Sequence, residues 1–182
     1  WREVRLGRDY TAQFWNWTVF DPFGTNGVGS ATNLAIAVNN IAGSGGSYGT
    51  LVRANNSVQY FLPNGGFGPG LYGQVMVAAG ENAVGNKMWG GRIGYKAGPF
   101  DVAAAYSDTD ITDNISATNW NIAGSWDFKT FGKLAAFYSQ IEVEAPGIIA
   151  GKGGQDNWFI GYSIPFGQAN FKISWGQADG SG

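Results

Sequence analysis

Large apolar and small polar residues alternate along most of this chain. NWNIAGSWDF, residues 119–128, shows the pattern: Trp120, Ile122, Trp126 and Phe128 share one parity with Gly124, while Asn119, Asn121, Ala123, Ser125 and Asp127 share the other. A period of two marks a β-strand with two unlike faces. The same reading predicts nine strands, at about 1–10, 50–62, 69–79, 88–97, 100–107, 118–128, 133–141, 156–164 and 169–177. In 50–62, Val52, Ala54, Val58 and Tyr60 oppose Arg53, Asn55, Ser57 and Gln59. In 156–164, Trp158, Ile160, Tyr162 and Ile164 oppose Gly161 and Ser163. Three bulky residues break the rule, because Phe137, Tyr72 and Met76 sit on the polar parity of their strands.

The connections alternate as well. Residues 63–68, 97–99, 129–131 and 165–168 make short turns, whereas 80–87, 108–117, 142–155 and above all 11–49 read as long loops. Short turns on one side and long loops on the other describe an up-and-down antiparallel meander, the habit of transmembrane barrels. From Trp120 to Phe128 the strand rises about 26 Å. Tilted as in such barrels, it covers roughly 20 Å of height, near the thickness of their apolar band. Aromatics at both ends of that band suit the two membrane interfaces, with Trp89, Tyr95, Tyr106, Trp158 and Trp175 as further candidates. A soluble sandwich or lipocalin-like barrel would show the same alternation with its aromatics inside. Nine strands cannot close a bacterial single-chain barrel, which has an even number. The chain opens on Trp1 within a strand pattern and ends on ADGSG, so it is expected to be incomplete at both ends.

Composition sharpens the choice. Charged residues make up 13% of the 182, against roughly 25% in an average soluble domain. Aromatics reach 15%, yet mean hydropathy is only −0.13. Alternation of apolar and small polar residues produces that combination directly. A net charge of −2 with no basic run argues against general nucleic-acid binding. The chain has no cysteine and no histidine, so it holds no disulfide, thiolate metal site or histidine-based triad. No cofactor or metal is expected, and no segment is long and apolar enough for a spanning helix.

Specific motifs then appear. EVRLGRDY (3–10), DPFG (21–24) and VRANNSVQYFLPNGGFGPGLYG (52–73), followed by GYKAGPFDVAAAY (94–106), resemble the general porins of Gram-negative bacteria. The likeness is to the beta-proteobacterial trimeric porins, of the neisserial and Comamonas-like kind. The resemblance implies an all-β, sixteen-stranded transmembrane antiparallel barrel in the outer membrane. It also implies a homotrimer in contact with membrane lipid and lipopolysaccharide, passing ions and small hydrophilic solutes without catalysis. Residues 1–182 would then be one barrel domain, with 11–49 as the loop that folds inward and narrows the pore. SATNLAIAVNN (30–40) is a candidate short helix within it.

Such a channel needs a charged constriction, with wall arginines facing loop carboxylates. Arg53 has inward parity and matches the family's Arg-x-Asn-Asn. Arg8 matches its Gly-Arg but shares a parity with Val4 and Leu6, so a bulge or the end of the strand would have to re-aim it. Arg5 has clean inward parity, and Asp21 in DPFG is the loop carboxylate the resemblance indicates. An Asp-Pro turn residue can instead cap local backbone groups. Arg92, Lys96, Asp101, Asp127, Lys133 and Lys172 share inward parity as pore-lining charges. Cations slightly exceed anions among them, which points to anion preference. Trp15 and Trp17 offer either a stacking platform for a solute ring or an anchor of the loop on the wall. Three other classes stand beside the channel: a soluble or surface carbohydrate-binding β-domain, a non-conducting outer-membrane barrel enzyme, and a structural surface protein.

Overall fold

The computed structural model describes residues 2–35, 50–66, 68–80, 87–146 and 150–181. Its framework is one nine-stranded sheet: β1 (Glu3–Tyr10), β2 (Arg53–Leu62), β3 (Leu71–Ala78), β4 (Lys87–Ala97), β5 (Phe100–Thr112), β6 (Ile115–Asp127), β7 (Lys133–Pro146), β8 (Ala150–Phe166) and β9 (Ala169–Ser181). The strands lie side by side in chain order, each antiparallel to the next. Two helices, α1 (Ala12–Phe20) and α2 (Thr32–Ala35), fall between β1 and β2. None of the described helices is long and apolar enough to cross a membrane.

The two parities become two different surfaces. Trp89, Ile93, Tyr95, Tyr106, Trp120, Ile122, Trp126, Trp158, Ile160, Phe171, Ile173 and Trp175 stand exposed on the outer face. The other face buries Gln59, Gln74, Asn119, Asn121, Ser139 and Asn157 together with Ala103, Ala123, Ala135 and Phe137. Exposed apolar side chains outside and buried amides inside reverse the order of a soluble sheet.

Rings organise the outer face into two rows. Trp89 and Tyr106 lie 5.3 Å apart, Trp120 and Tyr138 5.2 Å, and Tyr138 and Trp158 4.5 Å. Nearer the short turns, Phe100 and Trp126 lie 6.2 Å apart. Ile93, Ile122 and Ile160 fill the band between. Two rings of the first row find polar partners. The Trp120 indole donates to Gln140 Oε1 at 2.8 Å, and the Tyr138 hydroxyl donates to Asp156 Oδ1 at 2.6 Å. Amphipathic rings with a wet end and a dry end suit a membrane interface.

Beyond that row the strands continue. The loops expected at 108–117 and 142–155 are largely strand, and the first shrinks to a turn at 113–114 between β5 and β6. The polarity of the faces inverts there. Outward positions become Asp108, Asp110, Thr118, Glu142 and Glu144, while Ile115, Ala117, Ile141 and Val143 are buried inward. Backbone ladder bonds need no particular side chain, so the strands persist where the apolar signal changes sides.

At the first hairpin the alternation is broken by a bulge. Gly7 pairs with Ser57 and Asp9 with Ala54, so Arg8 faces two residues, Asn55 and Asn56. Gly7 has φ 104° and Asn56 φ 49°, left-handed values that glycine and asparagine tolerate best. Ala54, expected outward, is consequently buried beside Met76, Ala78 and Met88, so the start of β2 shifts parity and the inward parity expected of Arg53 is not kept. What ties Arg53 to the loop is its stacking on Tyr10, which packs on α1.

Candidate functional site

The segment after β1 crosses the amide-rich face of the sheet from β3 to β9. Its first part is α1, whose sequence AQFWNWTVF carries no acid in the first turn and no side-chain hydrogen bond at its N-cap, Thr11. Local propensity for a helix here is ordinary at best. Burial on several sides holds it instead: Ala12, Gln13, Phe14, Asn16, Trp17 and Phe20 are all buried. The Trp17 ring lies 5.3 Å from Phe137, which stacks on Phe159 at 5.0 Å. Fully burying rings such as Trp17 and Phe20 is worth about 2–3 kcal/mol each.

Directional bonds fix the helix in place. Asn16 Nδ2 donates to Asn121 Oδ1 at 2.7 Å, and Asn121 Nδ2 donates to the Gln13 carbonyl at 3.1 Å. Arg92 Nε on β4 donates to Asn16 Oδ1. Arg92 also donates through Nη2 to the Tyr72 hydroxyl at 3.3 Å, with its guanidinium carbon 4.8 Å from the centre of that ring. Tyr72 lies across Gly94, where any side chain would collide with the ring, and its hydroxyl donates to Asp101 Oδ1 at 2.7 Å.

Asp21 ends the helix and organises the turn beyond it. Its carboxylate accepts from the amides of Phe23 at 2.8 Å, Thr25 at 3.0 Å and Ala31 at 3.0 Å, and from the Ser30 hydroxyl at 3.1 Å. The folded turn then seats on β8 and β9. A Cβ at Gly161 would come within 2.7 Å of Pro22 Cδ, and one at Gly176 within 2.9 Å of Leu34 Cδ1, so glycine leaves room for the loop. Ser174 Oγ donates to the Gly29 carbonyl and Gln155 Nε2 to the Leu34 carbonyl, both at 2.6 Å.

Arginines cluster at the root of this segment. Arg5 lies over the Phe61 ring at 4.5 Å and pairs with Glu3 at 2.6 Å and Asp9 at 3.0 Å. Arg53 lies 4.7 Å over the Tyr10 ring and donates to its hydroxyl at 3.1 Å. Tyr10 in turn packs on Phe14 and Trp15 of α1, at 5.0 and 5.7 Å. The extra residue of the bulge lies in β2, so it does not re-aim Arg8, which keeps the parity of Val4 and Leu6 near the strand end and donates to Asn55 Oδ1 at 2.9 Å. Among the described residues, neither Arg8 nor Arg53 meets a carboxylate.

A sheet wet on one face and apolar on the other, with a long segment laid over the wet face, calls for comparison with known proteins. The family model of the Gram-negative porins matches residues 1–182. This chain belongs to that family. Outer membrane porin protein 32 of Delftia acidovorans is 27% identical over 172 residues, covering 91% of this chain and 47% of that protein. The chain thus spans about half the length of this curated relative. Two solved structures of OmpT, an outer membrane protein of Vibrio cholerae, share the fold at 14% identity. A form lacking its loop L8 superposes with a TM-score of 0.52 over 99% of this chain and 71% of its own, and the in-vitro folded form with 0.51 over 98% and 66%.

With the family established, each residue singled out in the sequence has a definite setting. Asp21 is buried, and its partners among the described residues belong to its own loop, so it caps the turn and faces no arginine there. Trp17 is buried at 2% exposure against Phe137, which leaves no ring face for a solute. Trp15 is wedged edge-on between Tyr10 and Phe61. Both rings pack the loop on side chains of the sheet. Arg92 is engaged by Asn16 and Tyr72. Lys96 lies 3.7 Å from the buried Asp101. Asp127 accepts from the Lys129 amide at 2.7 Å and stands opposite Lys133 in the register. Lys172 lies 5.8 Å over the Phe23 ring of the loop. Of the expected helix at 30–40, Thr32–Ala35 is helical, Ser30 and Ala31 precede it, and 36–40 lie outside the described residues. The sequence reading missed α1, Asn16 and Asn121 as a group. The available signal was Phe137 and Tyr72, the bulky residues on a polar parity.

Proposed function

We propose that this chain builds part of the wall and the constriction of an outer-membrane channel through which ions and small hydrophilic solutes diffuse. One observation carries the reading: a segment rooted between β1 and β2 lies across the amide-rich face, while the opposite face bears an apolar band between two aromatic rows. Lipid meets the band, and lipopolysaccharide headgroups meet the polar outward level above Trp120. Water and solute occupy the other side. Residues 1–182 act as one barrel domain, and 11–49 is its constriction loop.

In this reading Arg53 and Arg8 reach the solute from the strand ends where the loop is rooted, as cations without a carboxylate partner among the described residues, and Arg5 stands beside them partly neutralised by Glu3 and Asp9. Lys96, Asp127, Lys133 and Lys172 line the wider pore, and Asp101, the other expected lining charge, is buried beneath Lys96 and Tyr72. A guanidinium keeps its charge at every physiological pH, so the gate stays positive and favours anions. The channel moves solutes without reacting with them, and it works as a homotrimer.

The test is a planar-bilayer recording of the detergent-purified full-length protein under a salt gradient. Conductance arriving in threes with a reversal potential of anion-selective sign is expected, and Arg53→Ser should move that potential toward the cation side. Folded protein that conducts nothing would overturn the channel. A reversal potential unaffected by Arg53→Ser would remove that residue from the gate.

A further inference from the structure

Arg92 has the inward parity of a pore-lining charge, yet its surroundings are those of a fastener. Its side chain is half-buried, its Nε donates to a side chain of the loop helix, its Nη2 donates to the wall, and its plane covers the Tyr72 ring. We propose that Arg92, with Asn16 and Asn121, is the clasp that sets how far the constriction loop stands from the wall, and therefore the bore of the channel. The inference rests on the constriction reading.

The geometry gives each member a distinct task. Among the described residues, Asn16 is the loop side chain that both accepts from β4 and donates to β6, so it spans the strand between them. Asn121 answers with its own amide, which donates to the Gln13 carbonyl one helical turn earlier. Two reciprocal asparagine contacts fix both the rotation and the axial position of α1. Trp17 on Phe137 supplies attraction without fixing either, because apolar contact is non-directional.

Arginine is suited to the third position. Its planar head offers divergent donors that bridge loop and wall at once, whereas an ammonium offers a single point. The wall side is itself braced. Gly94 lets Tyr72 lie flat, and the Tyr72 hydroxyl donates to the buried Asp101, which also lies near Lys96. The chain of contacts therefore runs from Asn16 on the loop through Arg92 and Tyr72 to a wall carboxylate. Lifting the loop would strip a half-buried cation of its acceptor and leave two buried amides unmatched. Both are costly in a water-poor site, so the seated position is strongly preferred. Arg92 is thus a positioning residue, and Arg53 is a filter.

Single-channel recordings of the full-length protein separate the two roles. Arg92→Met should raise conductance and open-state current noise several-fold and admit larger neutral solutes, while the reversal potential moves less than it does in Arg53→Ser. Arg92→Lys should restore the native bore in part. Asn16→Ala removes the same bond from the loop side and leaves every strand residue unchanged, so it should reproduce the Arg92→Met phenotype even if the β4 variant fails to fold. Native conductance, noise and solute exclusion in Asn16→Ala, with Arg53→Ser still shifting selectivity, would overturn the clasp and leave the constriction standing. Unchanged selectivity and exclusion in all these variants would overturn the constriction reading itself. A shift in reversal potential for Arg92→Met as large as that for Arg53→Ser, with unaltered noise and bore, would return Arg92 to the filter and refute the proposal.

Discussion

The assignment of the two faces to lipid and water can be tested by moving one charge along one strand. Ile122 is 49% exposed on the outer face of β6 and is paired with Ala104 and Tyr138. It lies two residues from Trp120 and four from Trp126, the β6 members of the two aromatic rows. At about 3.4 Å per residue and a tilt near 40°, that places it roughly 5 Å below the upper row and 10 Å above the lower. An arginine at the bilayer midplane of such a barrel costs about 2–4 kcal/mol, falling toward 0–1 near the interface. Ile122→Arg should therefore destabilise the folded barrel by about 2–3 kcal/mol, a factor of roughly 30 to 150 in the folding equilibrium. Thr118→Arg is the control. It lies on the same strand and the same outer face, above Trp120, and opposite Asp108 and Glu142 in the register. It should cost less than about 1 kcal/mol. Reversible urea titration in lipid vesicles, read by the electrophoretic shift between folded and unfolded barrel, measures both. In a soluble sheet an exposed Ile122→Arg would change stability by no more than about 0.5 kcal/mol. Equal costs at the two positions, or a larger cost at Thr118, would refute the assignment of the apolar band to lipid.

Two other predictions probe the loop. Asp21→Asn keeps the side-chain shape but turns an amide donor toward amides that now donate to Oδ1 or Oδ2. The loss of charge-assisted bonds should loosen the turn by about 3 kcal/mol, seen as faster amide exchange at Thr25 and Ala31 with β-strand protection retained; unchanged exchange would show that the carboxylate does not hold the turn. Gly161→Leu places a side chain where Pro22 now sits 2.7 Å from the notional Cβ. The folded protein should show altered conductance and noise, and a native recording would mean the loop does not rest on β8.

The strands and their two faces were legible because alternation is a signal each strand carries alone. What it could not carry was anything set by contact with the loop. Phe137, Tyr72 and Met76 look like errors of pattern in the sequence. In the structure all three point inward, Phe137 beneath Trp17 and Tyr72 beneath Arg92. Phe137 and Tyr72 break the alternation where the loop covers the wall, and Met76 is buried with Ala54, Ala78 and Met88 beside the bulge. Helix α1 was illegible for the complementary reason, since its composition favours no helix and its burial against β3–β7 supplies what propensity does not. The ends of β5–β8 look like loops in the sequence because the apolar residues cross to the inner face there, at Ile115, Ala117, Ile141 and Val143. The bulge at Asn55 and Asn56, opposite Arg8, is invisible to a period of two, which has no means of counting two residues against one.

That bulge also bears on how a chain of net charge −2 could present a positive gate. Selectivity depends on which charges reach the solute unneutralised, and the fold sorts them unequally. Asp21 is sealed by four donors of its own loop. Asp101 is buried beneath Tyr72 and Lys96. Asp108, Glu142 and Asp156 lie on the outward face above the aromatic row, beyond the sheet from any solute. Glu3 and Asp9 are both held by Arg5, and Arg92 is engaged by the loop helix. Arg8 and Arg53 are left at the root of the loop with an asparagine and a tyrosine for partners. The proposed anion preference therefore arises less from an excess of bases than from the removal of acids. Neutralising Glu3 or Asp9 should then strengthen the preference by freeing Arg5, read as a reversal potential displaced further to the anion side, whereas an acid added on the outer face should leave that potential unchanged.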